Sequence, residues 1–335
     1  MNNSVNMAQH IADVVARSET VEVIQPAEIG EGKWQNELLL FIKPEVFLVS
    51  DSRSSQKTVE LILEKLKDFD AHIDGISVVG GKVLEEKEIM NHHYGFINVL
   101  SRSASKILHA DDKKKIEDAL NTSLAEVTIL GGHEFLAQHP EETSTDLDHL
   151  WFQGKSTKIR SGFYVRLLEK DGQSILLVNG FHPEQLAHFT RPHHKIVLML
   201  VHSNTAWSAL RNEMVGVTFP EKAASASIRG TLHAHAHTYG FDAVTIANNC
   251  VHLSAGPFEA MFEITNFFGK IMGLDVSRQP PLAMKYMTAS GIDDAQAAKT
   301  LDNPIISLSG KAIDLFTATE DVNTDEAIEL YRRTL

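Results

Sequence analysis

The chain has 335 residues, 43% hydrophobic and 22% charged, an ordinary globular composition that excludes a disordered or fibrous protein. Its 31 Lys and Arg against 44 Asp and Glu leave a net charge of −13, which argues against non-specific binding of nucleic acid or anionic lipid but leaves room for a local basic pocket. The single cysteine, Cys250, excludes an internal disulfide and fits a reducing, cytoplasmic setting.

Residues 1–23 lack a long apolar core behind a basic flank, so no signal peptide is expected. Residues 38–42 form a continuous apolar run that reads as a buried strand and ends at Lys43-Pro44. Thr58 is a plausible N-cap for a helix carrying Val59, Ile62, Leu63 and Leu66 at helical spacing. A strand is predicted at 76–79, a helix over 85–93, a charged helix over 110–120 and a loop over 140–148. Ile159, Phe163, Val165 and Leu167 then fall on one side of an alternating run, and Asp171-Gly172 supplies left-handed turn geometry for a hairpin returning over 174–178.

A short helix follows at 184–189. Residues 196–201 are the clearest buried strand, though far too short to span a membrane. Further expectations are a helix over 205–212, a loop over 217–228, a strand over 245–251 delivering His252 to its end, and a helix from Pro257 through 267. Weak helices complete the chain at 293–300 and 325–333.

Three segments could carry chemistry. Lys43, Arg211 and Arg229 supply three fixed cations in an acidic protein, and guanidinium and ammonium groups suit a polyphosphate, to which Thr218 could add a hydroxyl donor. Neutral imidazole has a lone pair at pH 7, so His252 could act as a nucleophile, and Glu263, eleven residues on, could orient its other nitrogen. Singly, each has a plainer reading: a solvated lysine, unrelated salt bridges, a hydrogen-bonded core histidine, glutamates facing water.

In order and spacing these segments resemble the nucleoside diphosphate kinase family. ELLLFIKPE is similar to that family's first strand with its phosphate-contacting lysine, which implies that role for Lys43. HHYGF resembles the segment with a tyrosine near the active site, implying Tyr94. NGFHPEQLAHF resembles the part that walls the base, implying Phe181. LRNEMVGVTFPEKAASASIRG resembles the phosphate-binding loop and implies contacts from Arg211, Thr218 and Arg229. NCVHLS, followed by Glu263, resembles the nucleophile segment: Asn249 would contact the sugar, His252 would accept the phosphoryl group, and Ser254 and Glu263 would support it.

The resemblance implies an α+β fold with a ferredoxin-like antiparallel sheet and flanking helices over 37–100 and 181–269. An N-terminal extension (1–36), an inserted α+β block (101–180) and a helical C-terminal extension (270–335) would be added. It further implies Mg²⁺, a homo-oligomer, and ping-pong transfer of a γ-phosphoryl group from a nucleoside triphosphate to a diphosphate. The pattern departs from the family at Leu253, where the family has glycine, at Ala255, where it has an acid, by one extra residue between Arg211 and Thr218, and by an added segment between Arg229 and Asn249.

Two other readings compete. The seventeen histidines include His233, His235 and His237, which on a strand would share one face and could serve a metal-dependent hydrolase using Zn²⁺ or another transition metal. Alternatively, the chain is a catalytically weak nucleotide-binding regulatory protein whose added blocks hold a partner.

Overall fold

The two continuous apolar runs lie side by side in one sheet. In the computed structural model, which describes residues 3–335, the strands in chain order are β1 (Val21–Gln25), β2 (Asn36–Ile42), β3 (Ala71–Gly80), β4 (Thr128–Gly131), β5 (Thr157–Arg160), β6 (Phe163–Lys170), β7 (Gln173–Val178), β8 (Lys195–Ser203), β9 (Val251–Leu253), β10 (Ile305–Leu308) and β11 (Lys311–Asp314). Met1 and Asn2, the start of the expected N-terminal extension, lie outside the described residues. Two compact units result: Met1–Lys87 with Pro192–Leu335, and Glu88–Arg191.

In the first unit the strand order is β1-β3-β8-β2-β9, with every pairing antiparallel. All residues of β2 and β8 are buried, as uninterrupted apolar runs require. Alternation sends Leu38, Leu40 and Ile42 to one face, where they share a core with Ala8, Ile11 and Val14 of helix Asn3–Arg17 and Val59, Ile62 and Leu66 of helix Ser52–Asp68. Helix Pro257–Ile264 packs against β2. With helices Leu282–Ala289 and Thr324–Arg332 it also encloses a separate apolar cluster that includes Phe258, Met261, Met287 and Tyr331.

The second unit is a four-stranded sheet, β4-β7-β6-β5, with β4 parallel to β7 and the other pairs antiparallel. Both faces are covered: Phe163, Val165, Leu176 and Val178 pack with Leu100 and Ile116, while Leu168, Ile175 and Leu177 pack with Phe135, Leu147 and Trp151. Asp171 and Gly172 take φ of 53° and 77°, as the Asp-Gly hairpin reading requires. The mixture of helices with an antiparallel sheet is an α+β fold. Among the described residues no helix is long and apolar enough to cross a membrane.

Several local expectations are corrected. The sequence reading assigns no element to 1–36, where helix Asn3–Arg17 and β1 form. The helix expected from Thr58 begins at Ser52, capped by Asp51, whose side chain accepts the Arg53 N–H at 3.1 Å; Thr58 is an interior residue bonded to the Ser54 carbonyl. The helix expected over 85–93 is two, Gly81–Glu86 and Ile89–His93, parted where Glu88 takes a left-handed φ of 52°. The loop expected over 140–148 already turns helical at Ser144. Trp207–Ala209 and Pro257–Ile264 both pass into π-helical turns, Leu210–Val215 and Thr265–Gly269, a widening that apolar spacing does not signal.

Candidate active site

His252 is placed by a three-residue strand. β9 adds to the edge of β2, so that His252 stands opposite Phe41 in the antiparallel register. The two rings stack, with centroids 4.5 Å apart and planes 16° off parallel. Residues 245–250, expected as part of a strand, are bends and irregular chain. Cys250 takes φ +67°, and the Val251 N–H donates to the Asn249 carbonyl at 2.8 Å, closing a three-residue turn of the strained, positive-φ type. The turn is pinned on both sides: Cys250 N–H donates to Glu45 Oε1 at 2.8 Å, and Lys43 N–H donates to the Cys250 carbonyl at 2.9 Å. Only turns, not a longer strand, let the chain turn back between Asn249 and His252.

Pro257 at the first turn starts a helix that returns Glu263 toward the imidazole. Glu263 is fully buried; its Oε1 lies 2.7 Å from His252 Nε2, and its Oε2 accepts the Ser254 hydroxyl at 2.5 Å. Ser254 Oγ in turn accepts the Leu39 N–H at 3.0 Å, tying the relay to β2. Burial first, then the charges of Lys43, Arg229 and Arg211, hold the His252 pKa well below 6.5. The ring is therefore neutral at pH 7, and its Nε2–H donates to Glu263 Oε1.

The three expected cations fall into two classes. Lys43 is half-buried and donates to Asn249 Oδ1 at 2.7 Å; burial lowers its pKa. Arg229 clasps two carbonyls, Gly216 and Val251, each at 2.8 Å, and its buried Nε has no partner. Burial and the nearby Arg211 bring its pKa down to about 10. Among the described residues neither Lys43 nor Arg229 forms an ion pair with a carboxylate. Arg211 is different: its Nη2 meets Glu320 Oε1 at 2.8 Å and its Nε meets Asp321 Oδ1 at 3.3 Å.

The remaining expected residues have the following surroundings. Thr218 is exposed, and its carbonyl, not its hydroxyl, is engaged, accepting from Asn249 Nδ2 at 3.4 Å. Tyr94 and Phe181 belong to the second unit. There Tyr94 meets His182 edge-on at 5.5 Å, and Phe181 packs on Trp151 and Tyr164 at 5.6 and 5.9 Å. The strand placement of His233, His235 and His237 is overturned. They straddle the end of helix Ile228–Ala234 and the 3₁₀ turn Ala236–Tyr239, all three exposed, so alternate residues no longer share a face.

Four groups were given no role in the site by the sequence reading: Glu45, which anchors the Cys250 turn; Glu259, whose Oε2 accepts the Ala255 N–H at 2.7 Å; and Glu320 and Asp321. Burial, then the charge of Glu263, raises the Glu259 pKa to about 8. The i, i+4 spacing of Glu259 and Glu263 on a helix packed against β2 is the one sequence signal that could have found it. Nothing near 320 marks its two acids.

No family model matches the chain, and no curated protein matches it. Among solved structures it is similar to a nucleoside diphosphate kinase from Encephalitozoon cuniculi, with 14% identity and a TM-score of 0.34 over 70% of this chain and 89% of that one. It is also similar to an NDP kinase from Pyrobaculum aerophilum, with 17% identity and a TM-score of 0.33 over 70% of this chain and 98% of that one. Likeness at this level carries no argument about activity, which has to be made from the geometry around His252.

Proposed function

We propose that the chain is a phosphotransferase that moves the γ-phosphoryl group of a nucleoside triphosphate to a nucleoside diphosphate through His252. One observation carries the reading: a neutral imidazole, oriented at Nε2 by a buried carboxylate, sits within the electrostatic reach of two cations that, among the described residues, form no ion pair with a carboxylate. In an acidic protein such cations are suited to an anion supplied from outside. The core is read as ferredoxin-like, supported by the strand order β3-β8-β2-β9 with helix Ser52–Asp68 following the first core strand.

In the forward half-reaction the Nδ1 lone pair attacks the γ-phosphorus in line. The bond to the β,γ-bridging oxygen breaks, and the diphosphate leaves with that electron pair. As the imidazole becomes cationic, Glu263 balances the charge through the Nε2 proton, and Ser254 holds Glu263 in place. The second half-reaction reverses these steps on another diphosphate. Lys43 and Arg229 bind and orient the phosphates, which is most of what phosphoryl transfer requires of a protein. Mg²⁺ would enter as the counter-ion of the nucleotide's phosphates and reduce their charge, with no side chain assigned to it.

The test is incubation with γ-labelled ATP. The expected result is an acid-labile, alkali-stable label on the wild-type chain that passes to added diphosphate and is absent from His252→Ala. A label that survives His252→Ala overturns the assignment. Absence of label with nucleotide-induced thermal stabilisation would favour the nucleotide-binding regulatory reading instead.

A further inference from the structure

We propose that Glu320 and Asp321, from the C-terminal extension, act as an internal anion that occupies Arg211 until a polyphosphate displaces them. The inference rests on the phosphotransfer reading of the site. Its basis is the unequal treatment of three neighbouring cations. Lys43 and Arg229 are bonded to amide and carbonyl oxygens, whereas Arg211 alone holds two carboxylates, at Nη2 (2.8 Å) and Nε (3.3 Å). Two separate oxyanions on one guanidinium edge are what a phosphate group would otherwise present there. Arg211 also acts on the protonation of both His252 and Arg229, so a released guanidinium would face the same anion as they do.

The backbone of this segment is seated, and only its side chains need to move. The Asp321 N–H donates to the Ala255 carbonyl at 2.9 Å, and a Cβ on Gly256 would collide with the Thr319 carbonyl oxygen, so 319–321 rests directly on the turn after Ser254. Asn323 Oδ1 then accepts the Trp207 N–H at 2.9 Å and Asn36 Nδ2 at 3.1 Å.

The carboxylates are held less well. The Glu320 side chain is 47% exposed and can swing into water. Asp321 Oδ1 is buried but makes no well-directed hydrogen bond, only the 3.3 Å approach of Arg211 Nε. Its Oδ2 has just a long contact to Asn212 Nδ2 at 3.5 Å. An ion pair this exposed on one side and poorly aligned on the other is weak enough for a multivalent anion to replace.

The test is calorimetric titration of the full chain with inorganic tripolyphosphate, comparing wild type, Glu320→Gln, and the double variant Glu320→Gln/Asp321→Asn. The isosteric amides keep the shape of the segment. The double variant should bind about three- to tenfold more tightly, the size of one or two partly exposed charge pairs. Glu320→Gln alone should show part of the gain. The gain should shrink as salt is added and vanish when Arg211→Gln is introduced. Equal or weaker binding by the double variant, with or without a lower melting temperature, overturns the internal-anion role while leaving the phosphotransfer reading intact. A gain that persists without Arg211 also overturns it. If neither wild type nor variants bind tripolyphosphate, the phosphate site itself is wrong and this inference falls with it.

Discussion

Strand β2 meets two histidines and treats them in opposite ways. Near its start, Glu37 stands opposite His202 of β8; near its end, about 13 Å further along, Phe41 stands opposite His252 of β9. His202 is sealed, its side chain 1% exposed, with a carboxylate on each nitrogen: Glu37 at 2.9 Å and Asp74 at 2.7 Å. Two acceptors demand two N–H groups, so this ring carries a positive charge. Burial pulls its pKa down, but the bond and charge of Glu37, then those of Asp74, raise it above 6.5. His252 is 20% exposed, has one carboxylate at Nε2, and is surrounded by cations that lower its pKa. The first is a structural cation and the second a neutral ring suited to attack. The difference comes from the count and sign of neighbouring charges, since burial acts in the same direction on both.

The comparison breaks most sharply at the two carboxylates. Glu263→Gln removes the group that fixes the His252 tautomer and balances its developing charge. Labelling by γ-labelled ATP should slow on the order of 10²- to 10⁴-fold. A rate within a few-fold of wild type would show that Glu263 merely fills space.

At the other end, Glu37→Ala strands a buried cation and deprives the Gly30 and Leu282 N–H groups of their acceptor. A loss of about 3–5 kcal/mol in chemical denaturation is expected, and a loss below about 1 kcal/mol would mean that His202 is not charged in the fold.

The gentlest probe is the titration of the two rings by imidazole NMR. His202 should titrate above 6.5 and His252 well below it. The linkage signs are opposite. The raised His202 value gives stability that is fully present below 6.5 and is lost as pH rises through its folded pKa. For His252, whose folded pKa is depressed, stability falls as pH drops below 6.5. Two rings titrating together would remove the distinction.

Much of the first unit was legible from pattern. Two apolar runs marked β2 and β8 because both faces of those strands are covered. The spacing from His252 to Glu263 could be read because a proline-started helix has a fixed rise and returns its side chains to a predictable face. The 245–251 segment misled because its residues suit a strand, whereas the positive φ of Cys250, a residue other than glycine, gives no sign in the sequence. The histidine run at 233–237 misled by period: alternation suggests a strand, but the segment forms a helix end and a 3₁₀ turn.

The sequence by itself determined which residues are apolar enough to be central strands, where the Asp-Gly hairpin turns, and which side-chain types, at Lys43, Arg229, His252 and Glu263, the proposed phosphoryl transfer draws on. Those are properties of short windows, fixed by backbone geometry and side-chain type. Only the tertiary structure decided which histidine is charged and which cation is occupied. Glu37 is 165 residues from His202, and Glu320 is 109 from Arg211, so their meeting depends on how the sheet and the C-terminal helices pack. Electrostatic energy falls with distance through space and is indifferent to distance along the chain, so the same histidine has different chemistry at the two ends of one strand.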